Sequence, residues 1–254
     1  MLNIEIISCL NDNYSYILHD ELTGLVGVVD PSEFKPIDNF ISKKFKKIDF
    51  ILNTHHHYDH VGGNKELKKK YKTKVVGSKT DKYRIPGIDI MLFENDKFNF
   101  GEVCFEIISI PGHTAGHIAF YSEVEKIIFT GDTLFSLGCG KIFEGTYNQM
   151  FNSLNKIKNL PKDTKIYCGH EYTHKNLQFC LKYDGNNKML YDKLISIKKK
   201  LAHSLPTVPT TLEEELSTNI FLRCDNAQVK SNLKMTDSLD ELVFEKLRNL
   251  KDEF

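Results

Sequence analysis

The sequence predicts an α+β fold: two packed sheets with helices on their outer faces, followed by a small all-helical C-terminal domain. Two observations support it. Short apolar runs alternate with turns up to about residue 170, and apolar residues recur at helical spacing beyond residue 174. A chain of 254 residues can bury one large core and a smaller one. We therefore predict a first domain at 1–173 and a second at 174–254.

The predicted strands are rich in Ile, Val, Phe and Tyr and are bounded by Asn, Asp, Gly and Pro, as is typical of strands. They are Ile4–Ser8, Tyr14–Leu18, Leu25–Val29, Phe50–Leu52, Val103–Ile110, Ile118–Tyr121, Ile127–Thr130 and Lys165–Cys168. The helices predicted among them are Pro36–Lys46, Gly63–Tyr71 and Asn148–Leu160. Because strands outnumber helices in this part of the chain, we expect two packed sheets rather than a helical bundle.

Apolar residues in the C-terminal part recur every three or four positions, which predicts amphipathic helices. One such stripe runs from Met189 to Leu201, and another from Leu239 to Leu250. Ser238 and Glu241 have the spacing of a capping box, so we predict that the last helix begins there.

Composition limits the classes of partner. Lys+Arg and Asp+Glu balance at 34 each, so we expect neither nucleic acid nor a membrane as a partner. The six cysteines include no C-x-x-C pair, which is typical of reduced thiols in a cytosol-like compartment. The first residues lack the features of a targeting peptide, and no apolar run reaches the roughly 18 residues that span a bilayer. We predict a cytoplasmic monomer.

The strongest chemical signal is the segment Thr54-His-His-His-Tyr-Asp-His60, which directly follows a predicted strand. Side chains two residues apart can converge there, so His55 and His57 can bind one ion while Asp59 and His60 turn towards a second. Imidazole suits zinc and iron, and a carboxylate adds a hard oxygen ligand. Because packing so many polar groups without a metal would be unfavourable, we predict a metal site.

Three further strand-end loops each carry one candidate ligand. His113 lies in Pro111-Gly-His-Thr-Ala-Gly-His117, Asp132 follows Gly131, and His170 follows Gly169. A single strand-end Asp or His is usually a turn or capping residue. After the histidine-rich segment, however, these three supply the ligands that it lacks.

Together these segments resemble the metallo-β-lactamase superfamily and, within it, the glyoxalase II (hydroxyacylglutathione hydrolase) family. The resemblance covers nearly the whole chain and implies a four-layer αββα sandwich. It also implies two metal ions, first of all zinc, although iron or manganese would suit the same ligands. The implied assignment gives His55, His57 and His113 to the first ion, Asp59, His60 and His170 to the second, and Asp132 to both. His56, Tyr58 and His117 are interpreted as packing groups or groups behind the ligands.

The same resemblance implies hydrolysis of S-D-lactoylglutathione to D-lactate and glutathione, the second step of methylglyoxal detoxification. Two metals can share a hydroxide that is nucleophilic at neutral pH, so no Ser, Cys or His nucleophile is expected. Asp59 and Asp132 are the catalytic carboxylates in the sense that they hold these metals. The thiolate leaving group has an ordinary pKa of about 8.5, so it needs no general acid.

Substrate contacts are likewise implied by resemblance. Lys141 lies in a loop similar to the one whose basic residue meets glutathione, and Tyr172 matches a residue that reaches the glutathione backbone. Arg248 and Lys251, three apart on one helix, match the pair for the glycine carboxylate; spacing alone would favour a solvated helix face. Phe143 stands where some family members have Tyr, so any hydroxyl contact is lost there.

Three other functions compete with this interpretation. A glutathione persulfide dioxygenase would use a single iron, but the complete second ligand set argues against it. A nuclease of the same superfamily is disfavoured by the neutral charge. A zinc-stabilised interaction domain is disfavoured because structural zinc sites are usually rich in cysteine.

Overall fold

A computed structural model describes residues 1–254, and its first sheet has six strands in sequential order. Strands β1, β2 and β3 pair antiparallel with one another, and the pairs from β3 through β6 are parallel. The strands are β1 Leu2–Cys9, β2 Asn13–Asp20, β3 Val26–Val29, β4 Phe50–Leu52, β5 Lys74–Ser78 and β6 Ile88–Leu92. The parallel half places several strand ends at the same edge of the sheet.

The second sheet also has six strands, in the order β14-β13-β10-β9-β8-β7. A separate two-stranded hairpin, β11 with β12, follows β10. The strands are β7 Lys97–Phe100, β8 Val103–Ser109, β9 Ile118–Ser122, β10 Ile127–Gly131, β11 Leu134–Phe135, β12 Gly138–Cys139, β13 Lys165–Cys168 and β14 Thr210–Thr211.

Nine α-helices complete the chain: α1 Phe34–Lys44, α2 Tyr58–Val61, α3 Asn64–Tyr71, α4 Tyr147–Lys158, α5 Thr173–Tyr183, α6 Lys188–Ala202, α7 Leu212–Thr218, α8 Ala227–Asn232 and α9 Asp240–Asp252. Short 3-10 helices lie at Lys79–Asp81 and Ile220–Leu222. None of the helices has both the length and the hydrophobicity needed to cross a bilayer.

Three separate hydrophobic clusters show that the protein has four layers. The central cluster joins the two sheets and contains Tyr16 and Leu18 of the first and Phe105 and Phe120 of the second. A second cluster packs α1 and α3 against the outer face of the first sheet. The third packs α4 and the C-terminal helices against the second sheet. The predicted αββα sandwich with helices at its C-terminal end is therefore confirmed.

The C-terminal helices share their core with the sandwich. The third cluster runs without a break from Ile128 in β10 to Phe244 in α9. Strand β14 lies between helices α6 and α7 and pairs antiparallel with β13, so this part of the chain is not purely helical. The predicted division at 173/174 falls at the first residues of α5.

Some elements differ from those predicted. Strands β5, β6 and β7 were not predicted, because they are short and carry charged or small residues such as Lys74, Asp89 and Lys97. The prediction of a capping box at Ser238 is wrong, because α9 begins after Leu239 and no side chain caps it. Genuine capping boxes start α4, at Thr146, and α7, at Thr211.

Candidate active site

The four segments that carry predicted ligands converge because of strand direction. The loops of His113, Asp132 and His170 follow β8, β10 and β13, which point the same way in the second sheet. The His55 loop follows β4 of the first sheet. Strands of two packed sheets thus end at one edge of the sandwich and bring distant parts of the sequence together.

Three histidines form the first ligand group. One nitrogen of each of His55, His57 and His113 lies within 4.8 Å of the others. Nε2 of His113 is 2.9 Å from Nδ1 of His57, and Nε2 of His55 is buried without a hydrogen-bond partner. The other ring nitrogen of His113 lies 2.7 Å from the carbonyl oxygen of Lys141, which fixes the orientation of the ring.

Asp59, His60 and His170 form the second group, also within 4.8 Å. The Nε2 atoms of His60 and His170 are 3.4 Å apart. Behind them, Nδ1 of His60 is 3.0 Å from Oδ2 of Asp30, and Nδ1 of His170 is 2.9 Å from Oδ1 of Asp12. A carboxylate behind each ring orients it and leaves its Nε2 facing the centre of the site.

Asp132 lies between the two groups. Its Oδ1 is 3.2 Å from Nε2 of His60, and its Oδ2 is 3.2 Å from Nε2 of His170 and 3.5 Å from Nε2 of His113. An irregularity in the pairing of β10 with β13 and a positive φ of 47° at Gly131 direct it there. A Cβ at Gly131 would lie 2.4 Å from Oγ1 of Thr54, so only glycine fits.

The site stabilises positive charge at its centre. Burial opposes protonation of His60 and His170, yet Asp132 and the carboxylates behind the rings raise the pKa of both side chains well above its usual range; a cation bound between these groups would take the place of the ring protons. Burial, with His113 and His56 nearby, lowers the pKa of His57 to about 4, so this ring is neutral and able to bind a metal.

The residues present fit a pair of metal ions. The donor set is imidazole and carboxylate, the ring nitrogens face one another, and Nε2 of His55 is buried without a hydrogen-bond partner. Two clusters that share Asp132 match the arrangement of a two-metal site. Cysteine takes no part in either group.

Two family models divide the chain between them. The metallo-beta-lactamase superfamily model matches residues 13–170, and the model of the hydroxyacylglutathione hydrolase C-terminus matches residues 171–254. The hydroxyacylglutathione hydrolase of Pelagibacter ubique is 53% identical over 253 residues, which cover 100% of each chain. The chain belongs to the hydroxyacylglutathione hydrolase family. It is therefore an enzyme, a hydrolase that acts on thioesters.

Further comparisons agree at two levels. The hydroxyacylglutathione hydrolase of Brucella ovis is 43% identical, over 100% of this chain and 98% of its own length. Among solved structures, ETHE1 from Myxococcus xanthus superposes with a TM-score of 0.68 at 20% identity, over 98% of this chain and 91% of its own. At this low identity, the similarity to ETHE1 supports the fold and says nothing about the activity.

A cavity and an adjoining groove open at the ligand groups of the hydrolase. The cavity, of about 380 Å³, is lined by five of the seven assigned ligands, all except His55 and His60, together with Phe135, Lys141, Phe143 and Tyr172. The groove, of about 330 Å³, shares three of these residues. Its lining is Phe135, Cys139, Lys141, Tyr172, Lys175, Asn176, Arg248, Lys251 and Asp252. All five predicted substrate contacts thus line one or both of these spaces.

The groove residues are held differently from one another. Tyr172 stacks on His170 with ring centroids 4.7 Å apart, so its ring is fixed beside the second ligand group. Arg248 is only 4% exposed and donates from Nη1 to the carbonyl oxygen of Cys139 at 2.8 Å. Nζ of Lys251 is buried without a hydrogen-bond partner. An exposed helix face does not describe these two cations.

The three residues interpreted as packing groups or groups behind the ligands differ. His117 is buried, stacks on His55 at 4.5 Å and accepts the backbone N–H of Asp132 at 3.1 Å. His56 lies 3.1 Å from Asp81. Tyr58 is 79% exposed, so the interpretation of Tyr58 as a packing residue is wrong.

Sequence reasoning missed the two carboxylates behind the histidines. Asp30 directly follows β3, as the predicted ligands follow their strands, and that position was a usable signal. Its Oδ1 and Oδ2 also accept hydrogen bonds from the backbone N–H and Oγ1 of Thr54. Asp12 lies in the β1–β2 turn, where nothing in the sequence distinguishes it from an ordinary turn residue.

Proposed function

We propose that this hydrolase cleaves the thioester of S-D-lactoylglutathione and related S-2-hydroxyacylglutathiones, giving D-lactate and glutathione. This is the second step of methylglyoxal detoxification. The observation that carries the proposal is the continuity between the two ligand groups, the cavity above them and a groove that contains unpaired positive charge. A thioester carbonyl can lie over the ligands while the glutathione part lies in the groove.

We assign His55, His57 and His113 to one metal ion, Asp59, His60 and His170 to a second, and Asp132 to both. When bound, such ions provide a nucleophile at neutral pH by lowering the pKa of water to about 7, and they polarise the substrate carbonyl. Zinc is our first choice, and iron or manganese suit the same imidazole and carboxylate donors.

The chain's own residues orient the substrate. Glutathione carries two carboxylates, and Lys141 and Lys251, which both line the groove, are the cations that we propose to receive them. The Tyr172 hydroxyl projects from a ring that His170 fixes, so it can bind the peptide backbone of glutathione. Phe143 offers no hydroxyl, which leaves Tyr172 as the nearby phenolic donor. Interactions at both ends of the tripeptide hold the scissile bond over the ligand groups.

The leaving group places little demand on the protein. A thiolate has an ordinary pKa of about 8.5, so it can depart at neutral pH without a proton donor. All six cysteines are free thiols, and none belongs to the ligand groups. We therefore propose direct hydrolysis without a covalent enzyme intermediate. Free thiols also suit the reducing cytosol, where we place the enzyme.

We propose that residues 1–173 provide the metal-binding unit and that residues 174–254 provide one wall of the groove. A glutathione persulfide dioxygenase with a single iron is the alternative function. The second ligand group favours the hydrolase, because Asp59, His60 and His170 would have no role in a mononuclear site.

The deciding experiment follows loss of thioester absorbance from S-D-lactoylglutathione with purified protein, before and after chelation and after metal is restored. We expect rapid turnover that disappears with the metals and returns with them. If fully metal-loaded protein fails to cleave this thioester, the proposed substrate is wrong, and glutathione persulfide with oxygen becomes the next test.

Binding of the glutathione part of the substrate should weaken, and KM should rise, as the pH rises above 8. Burial and the nearby Arg248 lower the pKa of Lys251 to about 8, so its ammonium form is lost as pH rises through that value. A charge-assisted hydrogen bond contributes roughly 1.5 kcal/mol, so we expect KM to rise about tenfold between pH 7 and pH 9.5. KM profiles of the parent enzyme and of Lys251→Met measure this.

The Lys251→Met variant should have a raised KM already at pH 7 and a flat profile above it. Lys246→Met, on the exposed side of the same helix, is the matched control and should follow the parent. The same rise of KM in Lys251→Met as in the parent enzyme would assign the pH dependence to another group.

A further inference from the structure

A polar cluster, centred on one buried carboxylate and open to solvent on its outer side, adjoins the first ligand group without belonging to it. It consists of His56, Asp81, Arg84 and Glu144, which we call the polar clamp. Asp81 is fully buried; its Oδ2 lies 3.1 Å from Nδ1 of His56, and its Oδ1 accepts from Nη2 of Arg84 at 2.5 Å. Nη1 of Arg84 donates to Oε1 of Glu144, also at 2.5 Å. The four residues come from three separate segments of the chain.

The polar clamp connects the loops that carry the ligands. His56 lies between His55 and His57 in sequence. Oε2 of Glu144 accepts the backbone N–H of Ala115 at 2.8 Å, and Ala115 lies in the His113 loop. Gly116 packs so closely on the clamp that an added Cβ would lie 2.3 Å from Oδ1 of Asp81. Glu144 thereby ties its own loop, residues 141–145, to both histidine loops.

Phe143 precedes Glu144 in the same loop, so the hydrogen bonds of Glu144 restrain the position of the Phe143 side chain. Its ring centroid lies 5.7 Å from that of His57 and 5.2 Å from that of His113. The ring is nevertheless 62% exposed, so packing alone does not fix it. Its backbone N–H donates to the carbonyl oxygen of His113 at a long 3.3 Å. Backbone atoms of Lys141 and Gly145 hold the two ends of the loop, and the Glu144 carboxylate adds charge-assisted hydrogen bonds directly beside Phe143.

The position of Phe143 indicates which part of the substrate it meets. The cavity and the groove share Phe135, Lys141 and Tyr172, whereas Phe143 lines the cavity alone. If glutathione occupies the groove, its thioester enters the cavity past the shared residues. The group beyond the carbonyl, on the side of Phe143, is then the acyl group.

We propose that the polar clamp positions Phe143 as a wall against the acyl group and thereby determines which acyl groups the enzyme hydrolyses efficiently. The inference rests on the proposed function and deepens it. Phe143 is the residue in contact with the substrate, and Glu144 and Arg84 are positioning residues that act through it. A fixed wall holds a small 2-hydroxyacyl group in place and excludes a large one.

The test compares kcat/KM for two glutathione thioesters, one of D-lactate and one of mandelate, which carries a phenyl ring in place of the methyl group. Glu144→Ala should lower the lactoyl-to-mandeloyl ratio by roughly tenfold, since misplacement of a substrate-positioning group has effects of this order or larger. Glu144→Gln retains an oxygen acceptor for Ala115 and should keep the ratio within about threefold of the parent.

Two comparisons separate positioning from general damage. Glu94 also accepts hydrogen bonds from a lysine, Lys156, and from a backbone N–H, that of Ser109, but it does not line the cavity. Glu94→Ala is therefore the matched control and should leave the ratio of kcat/KM values unchanged. Glu144→Ala should have no further effect on the ratio in a Phe143→Ala background, because residues that act as one unit are not additive.

An unchanged ratio in Glu144→Ala, or an equal change with and without Phe143, would overturn the proposal. If Glu144→Ala does not fold, Arg84→Gln removes the ion pair between Arg84 and Glu144, leaves the hydrogen bond from Ala115, and should lower the same ratio. Failure of the parent enzyme to cleave either thioester would instead refute the proposed function, so the two failures are distinguishable.

Discussion

Replacement of Asp132 by alanine is expected to lower kcat/KM by about a thousandfold or more and to remove bound metal. Asp132 is 6% exposed and lies within 3.5 Å of His60, His113 and His170, so its carboxylate contacts both ligand groups. Metal ions contribute several kcal/mol to transition-state stabilisation, and each 1.36 kcal/mol is a factor of ten in rate. Steady-state kinetics and metal analysis of the same preparation measure both effects.

Asp132→Asn gives a second test of this assignment. The amide preserves size but not charge, so we expect metal affinity to fall while the fold is kept. Asp163→Ala removes an exposed carboxylate paired with Lys126 and should change neither quantity. Normal activity together with normal metal content in Asp132→Ala would show that Asp132 is not a ligand.

Replacement of Arg248 by alanine should destabilise the protein by about 2–4 kcal/mol as well as raise KM. The guanidinium is buried against Phe221 and donates to the carbonyl oxygens of Cys139 and Gly140. Its loss leaves buried acceptors unsatisfied, at about 1–3 kcal/mol each. Denaturant unfolding of the metal-loaded enzyme measures the loss in the free energy of unfolding.

The same variant should also lower kcat. Cys139 and Gly140 directly precede Lys141, whose carbonyl oxygen lies 2.7 Å from Nδ1 of His113. A loosened loop therefore disturbs a predicted ligand, whereas loss of a substrate contact alone would raise KM and leave kcat unchanged. Lys246→Ala, on the exposed side of the helix, should affect neither stability nor kinetics. Unchanged stability and kcat in Arg248→Ala would return Arg248 to a role in substrate binding alone.

The fold was predictable wherever local pattern and tertiary environment agree. Strands such as Ile118–Ser122 are fully buried and apolar, so composition alone marks them. Strand β7 is different: Phe98 and Phe100 pack in the core while Lys97 and Asn99 face outward, and four residues are too few for a reliable period. The prediction of a capping box at the start of α9 was wrong for a related reason. The spacing of Ser238 and Glu241 does not show whether their side chains form hydrogen bonds with the backbone.

The sequence by itself determined the chemistry of this protein, because histidines and aspartates clustered at strand ends have few uses other than binding metal. It also placed each predicted ligand in a loop that follows a strand. Only the tertiary structure decided what lies behind those ligands. Asp12, Asp30 and the partners of His56 in the polar clamp are supplied by other segments of the chain, and the burial of Arg248 depends on which backbone carbonyls its guanidinium meets. Such pairings arise from packing between layers, which no local period records.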